Sequence, residues 1–330
     1  MYFVPGMNQG PQLGRSVQLN FGGDWGQANF HRVCGWLCQE VCDRSEAGSR
    51  VAIWNTTGGS DAIRYVADRT LDFAVSTPAA FARMAIRGTG PFSGKPLSKL
   101  RAIGVLPQRD RLVMAIDAKY NVRTYAELRA LAPSLKVAGS PNDGNNFIGY
   151  ATEQMMNASG IPASTITAWG GDFVTKVRPD QCIALALAGE VDAVIQEAIM
   201  SPWWSTLMKE RKMVLLSYEE TALRTVNTDL GWESGMIEQG YFPQLEESVT
   251  ALDFSDFILL VHADMPDDLA HLLTWCLCET RKSLERHYQH LPPERSPLGY
   301  PLDPVTMAKT PIPLHSGAVQ YYQSIDALAA

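Results

Sequence analysis

The sequence predicts an α/β protein of two lobes, each a mixed sheet flanked by helices, joined by two crossing strands. Three observations carry this. The chain has 330 residues, more than one ordinary core sustains. A strand, a glycine-rich or polar turn and a helix start recur in that order, the pattern of a largely parallel sheet. Two strong apolar runs, Arg111 to Ala118 and Phe254 to His262, stand where the chain would pass from one lobe to the other. Residues 1–108 and 254–330 then form lobe one and residues 109–253 lobe two, with a ligand cleft between them.

After a loose arm over residues 1–15, Ser16 to Phe21 alternates like a strand. The turn Gly22-Gly23-Asp24-Trp25-Gly26 and a helix from about Gln27 to Asp43 follow. The second unit repeats this: an apolar stretch Val51 to Trp54, the turn Thr56-Thr57-Gly58-Gly59-Ser60, and a helix with Ile63, Val66 and Ala67 on one side. The two glycines let the backbone turn tightly, and Ser60 or Thr57 is expected to cap the helix, whose first amides make an anion site. Thr70 to Val75 is a third strand, ending at Ser76-Thr77-Pro78. In such sheets strand ends and helix starts meet at one edge, where ligands bind.

Residues 88–99 read as a Gly/Pro-rich connection and Leu100 to Leu106 as a strand. Thr124 to Ala130 reads as a helix with Thr124 as N-cap and Glu127 at the capping-box position. In lobe two a strand at Leu135 to Ala138 precedes the turn 139–146 and a helix at 147–159. Ile166 to Ala168 reads as a strand before Trp169-Gly170-Gly171-Asp172. A helix over Gln181 to Leu187 leads to a strand at Val191 to Ile195, ending at Gln196-Glu197-Ala198. Beyond it come a helix at 203–211, a strand at 213–216, and short helices alternating with loops over 217–250. One long helix over Pro266 to Tyr288 presents Leu269, Leu272, Leu273, Cys276 and Leu284 to the core; a proline-rich stretch and a closing short helix follow.

Composition narrows the function. Hydrophobic content of 46% and charged content of 19% suit a soluble globular chain. A net charge of −7 leaves no basic excess for nucleic acid. No run of about 18 apolar residues predicts direct membrane insertion. The start carries no leader-like pattern; the location is periplasmic if a leader precedes Met1, and cytoplasmic if Met1 is the native start. The six cysteines form no disulfide framework, which favours a reducing compartment. Cys34, Cys38 and Cys42 lie at i, i+4 and i+8 and read as a core stripe; a metal would need His31 as a fourth ligand. His287 and His290 read as an exposed helix end. No cofactor and no metal site is expected.

Ligand contacts are expected from the turns. Gly23, Thr57, Gly58, Gly59, Ser60, Ser76 and Thr77 would offer amides and hydroxyls to a carboxylate, and Asn142, Asn145, Asn146 and Gln196 would read polar substituents. Trp25 and Trp169 could wall an apolar part. Arg109 and Arg111, at the start of the first crossing strand, are the candidate bidentate partners of a carboxylate. Asp24, Asp143, Asp172 and Glu197 stand in four of the turns as capping or turn-bonding groups. If two of them face one cavity, burial and repulsion would raise one pKa and supply an acid/base pair.

The Gly22-Gly23 turn, Thr57-Gly58-Gly59-Ser60, the stretch Gly189-Glu190-Val191-Asp192-Ala193 and the terminal Pro313-Leu314-His315-Ser316-Gly317-Ala318 with Tyr321-Tyr322 together resemble the TAXI family of solute-binding proteins of TRAP-type transporters. The likeness covers about residues 16–326. It implies a type II periplasmic-binding fold, an extracytoplasmic receptor that closes on a small organic anion such as a carboxylate or amino acid, and a TRAP-type membrane permease as partner. It implies no catalysis and no cofactor, and it makes His315 structural, tucking the last helix against lobe one. The sequence departs from the family pattern at Gly23-Asp24-Trp25 and at Asn142-Asp143-Gly144-Asn145-Asn146. The alternative is a cytosolic enzyme on the same fold, a metal-independent decarboxylase, lyase or hydrolase of a small carboxylated compound, using Glu197, Asp24, Asp172 and Asp143.

Overall fold

The repeated strand–turn–helix pattern builds two sheets in the computed structural model, which describes residues 10–24, 28–57 and 59–329. By internal packing the chain divides into two units, Met1–Gln108 with Asp256–Ala330, and Arg109–Ser255.

Unit 1 begins with β1 (Gln18–Asp24), α1 (Ala28–Asp43), β2 (Arg50–Thr56), α2 (Ser60–Ala67), β3 (Phe73–Ser76), α3 (Ala80–Arg87) and β4 (Leu100–Leu106). Unit 2 follows with β5 (Arg111–Asp117), α4 (Tyr125–Leu131), β6 (Lys136–Gly139), α5 (Phe147–Ala158), α6 (Ala163–Ala168), β7 (Asp172–Thr175), α7 (Pro179–Ala188), β8 (Ala193–Gln196), α8 (Pro202–Glu210), β9 (Met213–Leu216), α9 (Glu220–Leu230), β10 (Ser234–Ile237) and β11 (Val249–Asp253). The chain then returns to unit 1 with β12 (Phe257–His262), α10 (Asp267–Glu279), α11 (Arg281–Glu285), α12 (Pro304–Met307) and α13 (Ser316–Ser324).

The unit 1 sheet has the order β2-β1-β3-β12-β4. β1, β2 and β3 are parallel, and β12 runs antiparallel between β3 and β4. β12 therefore joins two strands made much earlier in the chain. One face is sealed by α1 and α10, whose Val33, Leu37, Leu272 and Leu273 pack on Phe21, Phe73, Val75 and Leu259. The Phe21 and Phe73 rings meet tilted by 48°, with centroids 4.7 Å apart. The terminal helix docks on this core: Tyr322 donates its hydroxyl to Ile103 O at 3.0 Å, and His315 caps α13 by accepting from Gly317 N at 3.1 Å. A side chain at Gly317 would collide with Asp267 O at 2.2 Å, so α13 lies against α10 only because that residue has none.

In unit 2 the order is β10-β11-β5-β8-β6-β7, with β9 also on β5. β6, β7 and β8 are parallel and β5 runs against β8. Val113, Ala115, Val194, Ile183, Trp204 and Leu207 share its core. Each buried aliphatic side chain contributes about 1.5–3 kcal/mol, which lets this unit carry its own core. The strand that follows each passage of the chain belongs wholly to one sheet, β5 to unit 2 and β12 to unit 1.

Several elements differ from the sequence reading. Ile166 to Ala168 is helical, the end of α6, and the strand falls later, at Asp172–Thr175; the short Thr-rich run satisfies its amides locally from Pro162 and Thr165. The expected long helix over 266–288 breaks at Thr280, whose hydroxyl donates back to Cys276 O at 2.8 Å while accepting from Trp36 Nε1. The stretch 217–250 contains strand β10 and the start of β11, not only helix and loop. Phe254 and Ser255 stay with unit 2: Phe254 lies near Trp232, with ring centroids 6.0 Å apart, and its amide bonds Asp110 O. The capping box of α4 forms as expected, Glu127 N donating to Thr124 Oγ1 at 3.1 Å and Thr124 N to Glu127. Cys34 is buried as expected, whereas Cys38 and Cys42 are only half-buried.

Candidate functional site

In each unit the carboxyl ends of the parallel strands lie at one edge, together with the helix starts that follow them. In unit 1 these are the ends of β2 and β3 with the starts of α2 and α3. Thr57 donates both its amide and its hydroxyl to Asp61 Oδ2, at 2.8 and 2.9 Å, and Asp61 Oδ1 accepts from Ala62 N. The turn is thus closed by Asp61; Gly59 is the N-cap, and neither Ser60 nor Thr57 caps, because Ser60 is already the first helical residue. Arg64 reaches back over that first turn. Its Nε donates to Ser60 Oγ at 3.3 Å and its Nη2 to Pro91 O at 2.8 Å, with the guanidinium 5.1 Å above the Phe92 ring.

Ser76 ends β3 fully buried, and its hydroxyl has no hydrogen-bond partner. Thr77 is committed inside the protein: it donates to Asp256 O at 3.1 Å and accepts from Gln108 Nε2 at 3.0 Å. That pair fastens the segments at 108 and 256 and leaves the Thr77 hydroxyl little for a ligand. Gly23 serves packing, since a Cβ there would lie 3.2 Å from His31 Nδ1 and 3.3 Å from Phe30. The expectations for Trp25, Gly58 and the Asp24 side chain lie outside the described residues.

Unit 2 gathers the ends of β6, β7 and β8 with the starts of α5, α7 and α8. Asn146 caps α5 by accepting from Gly149 N at 3.0 Å, and its Nδ2 donates to Val177 O at 3.0 Å. Both ends of this amide are used within the fold, contrary to a ligand-reading role. Asp143 accepts from the amides of Asn145 and Asn146 at 2.9 and 2.8 Å and so shapes the turn, while exposed Asn142 donates to Glu153. Gln196, fully buried, donates through Nε2 to Ser140 Oγ and Cys182 Sγ, both at 3.0 Å, and its Oε1 has no partner. Burial pushes the Cys182 thiol up to about 11, which keeps it protonated and poorly nucleophilic.

At the same edge two carboxyls share one buried place. Asp110, 1% exposed, accepts from the amides of Arg111, Ala198 and Ile199 at 2.7, 3.0 and 3.1 Å. Ala198 adopts φ +59 to aim its amide this way. Glu197, 7% exposed, lies against Asp110. Burial raises both pKa values; Glu197 rises well above the ordinary carboxyl range, because Asp110's charge adds to desolvation. Three amide donors favour the anion on Asp110, so the pair holds one proton and Glu197 carries it.

This arrangement sits inside a recognisable family pattern, since residues 33–325 match the NMT1-like family. The chain belongs to that family. No curated protein matches the sequence significantly. Among solved structures, the NMT1-like chain is similar to a protein from Bordetella bronchiseptica RB50 (12% identity, TM-score 0.52, 94% of this chain and 98% of that one). It is also similar to PhnD1 from Prochlorococcus marinus in complex with methylphosphonate (12%, 0.51, 94% and 99%) and to XAC2383 from Xanthomonas citri bound to ATP (11%, 0.50, 95% and 100%). At these identities the likeness is one of fold: an α/β two-sheet architecture of the periplasmic-binding-protein kind.

Other expected residues of the NMT1-like chain fall elsewhere. Trp169 closes α6 and Asp172 opens β7, at the end of the strand opposite to the edge where helices begin, because the strand comes after them rather than before. Arg111 is spent inside unit 2: Nη1 donates to Asp110 O, Asp253 Oδ1 and Ser255 Oγ at 2.6, 2.7 and 2.6 Å, and Nε to Met236 O. Arg109 is exposed. The sequence reading missed Asp110 and Arg64. The i, i+4 spacing of Ser60 and Arg64 was the available signal for the second; nothing local pointed to the first. Among the described residues no helix is long and apolar enough to cross a membrane.

Proposed function

We propose that this chain is a solute receptor of the TAXI kind that binds a small carboxylate or amino-acid-like anion and serves a TRAP-type membrane permease. The observation that carries the reading is the make-up of the two edges. Each gathers helix starts with buried polar side chains: Ser60 in one unit and Ser140, Gln196 and Glu197 in the other are set by internal bonds, and Ser76 is buried with its hydroxyl unpartnered. Such preset polar groups suit recognition, since a ligand that pairs with them is not charged for ordering them. Ser60 and Ser76 are the candidate ligand groups of unit 1, with Thr57 and Gly59 shaping the turn beside them, and Gln196 and Glu197 are those of unit 2. Of the acids named for the catalytic alternative, Asp143 is bound into its turn and Asp172 lies at the other end of the unit 2 sheet from Glu197.

The test is thermal unfolding and calorimetry with a panel of small carboxylates and amino acids, with mass analysis of each mixture. One member should raise the unfolding midpoint and be recovered unchanged; at a hundred times its Kd it adds about 2.7 kcal/mol. A panel without effect, or a product in the mixture, overturns the reading.

A further inference from the structure

We propose that Arg64 and the Ser76 hydroxyl form an oxyanion subsite in unit 1 that takes a singly charged head group, carboxylate or sulfonate. The proposal rests on the receptor reading and supplies the cation that reading lacks.

Arg64 lies one turn into α2, and helical side chains lean toward the helix start. Its contacts agree: the guanidinium is held at the first turn by Ser60 Oγ, by Pro91 O and over the Phe92 ring. The charge is therefore brought to the edge where the strands end and fixed there. Arg44, Arg111, Arg129 and Arg178 are each neutralised by a carboxylate, from Glu40, Asp253, Glu219 and Asp180, whereas half-buried Arg101 and Arg281, like Arg64, bond backbone carbonyls. Arg64 bonds only a hydroxyl and a carbonyl among the described residues, and Nη1 is uncommitted. A guanidinium so placed has donors to spare for an oxyanion.

Ser76 is the second, independent observation. In β3, Phe73 and Val75 face the core with α1 and α10, so the pleat turns Ala74 and Ser76 to the other face. Gly22 marks that face, since a Cβ on it would meet Ala74 Cβ at 3.5 Å, and α2 packs against β3 there. Being the last residue of β3, Ser76 lies at the end where α2 starts. Its hydroxyl is fully buried with no partner, a state that costs about 1–3 kcal/mol until an acceptor or donor arrives. A ligand oxygen between the serine and the guanidinium supplies it.

The charge balance sets the ligand class. Asp61, in the first turn of α2, offsets one positive charge near Arg64. The helix start adds roughly half a positive charge. The three sum to roughly half a positive charge, which favours a monoanion; a dianion would face Asp61 with its second charge unmatched.

The test follows the Arg64 Nε–Hε resonance by NMR in wild-type protein, assigned by its loss in Arg64→Lys. Propionate, methanesulfonate and methylphosphonate are titrated at constant ionic strength and alkaline pH, where the last is a dianion. Propionate and methanesulfonate should move the resonance saturably, methylphosphonate at least tenfold more weakly. Ser76→Ala, which removes only an unpartnered hydroxyl, should weaken the response roughly three- to tenfold, the worth of one hydrogen bond. A resonance unmoved by all three, or moved equally in Ser76→Ala, overturns the subsite; methylphosphonate binding as well as propionate overturns its charge class. Arg64 responding while no carboxylate of the solute panel binds would remove the receptor reading and keep the subsite. A solute that binds without moving Arg64 does the reverse.

Discussion

Glu197 and Asp110 show how one residue pair can set a pH response. Glu197 is held neutral by burial and by Asp110's charge, so its folded pKa exceeds its unfolded one. The unfolded chain then gives up this proton first, and stability falls as pH rises from the unfolded pKa toward the folded one, by about 1.4 kcal/mol per pH unit. Glu197→Gln keeps a neutral donor to Asp110 and removes the titration. Wild type and variant should match in urea unfolding near pH 5, the lower end of the window set by an unfolded glutamate, and the variant should gain steadily above it. Parallel stability curves would show that Glu197 does not hold the proton. Asp110→Asn removes the charge from these bonds, keeps one oxygen for the Arg111 and Ile199 amides and points its own amide at Ala198 N; a loss of about 1–3 kcal/mol is expected at neutral pH.

At the scale of elements, the turns are fixed by what the neighbouring helix lacks. A Cβ on Gly149, in the first turn of α5, would lie 1.9 Å from Pro141 O, which leaves the turn 139–146 nowhere to sit. Gly149→Ala should therefore cost about 1–3 kcal/mol or more by overpacking, and should weaken solute binding because Ser140, the partner of Gln196, moves with the turn. Urea unfolding and calorimetry read the two effects separately. Thr124→Ala removes one half of the α4 capping box and should cost about 0.5–2 kcal/mol with binding unchanged, a control for stability alone.

On the scale of the whole chain, unit 2 is contiguous and unit 1 is not. Residues 109–255 hold a complete sheet and their own core. Expressed alone, this segment should unfold cooperatively by circular dichroism and give dispersed amide resonances. A chain ending at residue 255 should keep that transition and lose unit 1, because β12 fills the place between β3 and β4 and α10 and α13 seal the core beneath. A fragment 109–255 without a cooperative transition would show that unit 2 depends on the rest of the molecule.

Local chemistry was legible in the sequence. Short apolar runs gave β4 and β9 to the residue, the Thr124–Glu127 spacing gave the capping box, and repeated strand–turn–helix units gave the α/β class and two sheets. These follow from periodicity and capping, which act over a few residues. The same signals failed at Ile166 to Ala168 and at Thr280, where a helix and a strand share a short apolar pattern or a side chain competes with the helical bonds. What tertiary structure decided was which side chains are spent and which are left over. Arg111 looked free in sequence and is consumed by Asp253 and Ser255; Thr77 is consumed by Gln108 and Asp256. Asp110 meets Glu197, and Ser76 is buried without a partner, only because β5 lies beside β8 and β12 beside β3. Strand pairing joins residues far apart in the chain, and a hydrogen bond across it leaves no trace in the spacing of either partner.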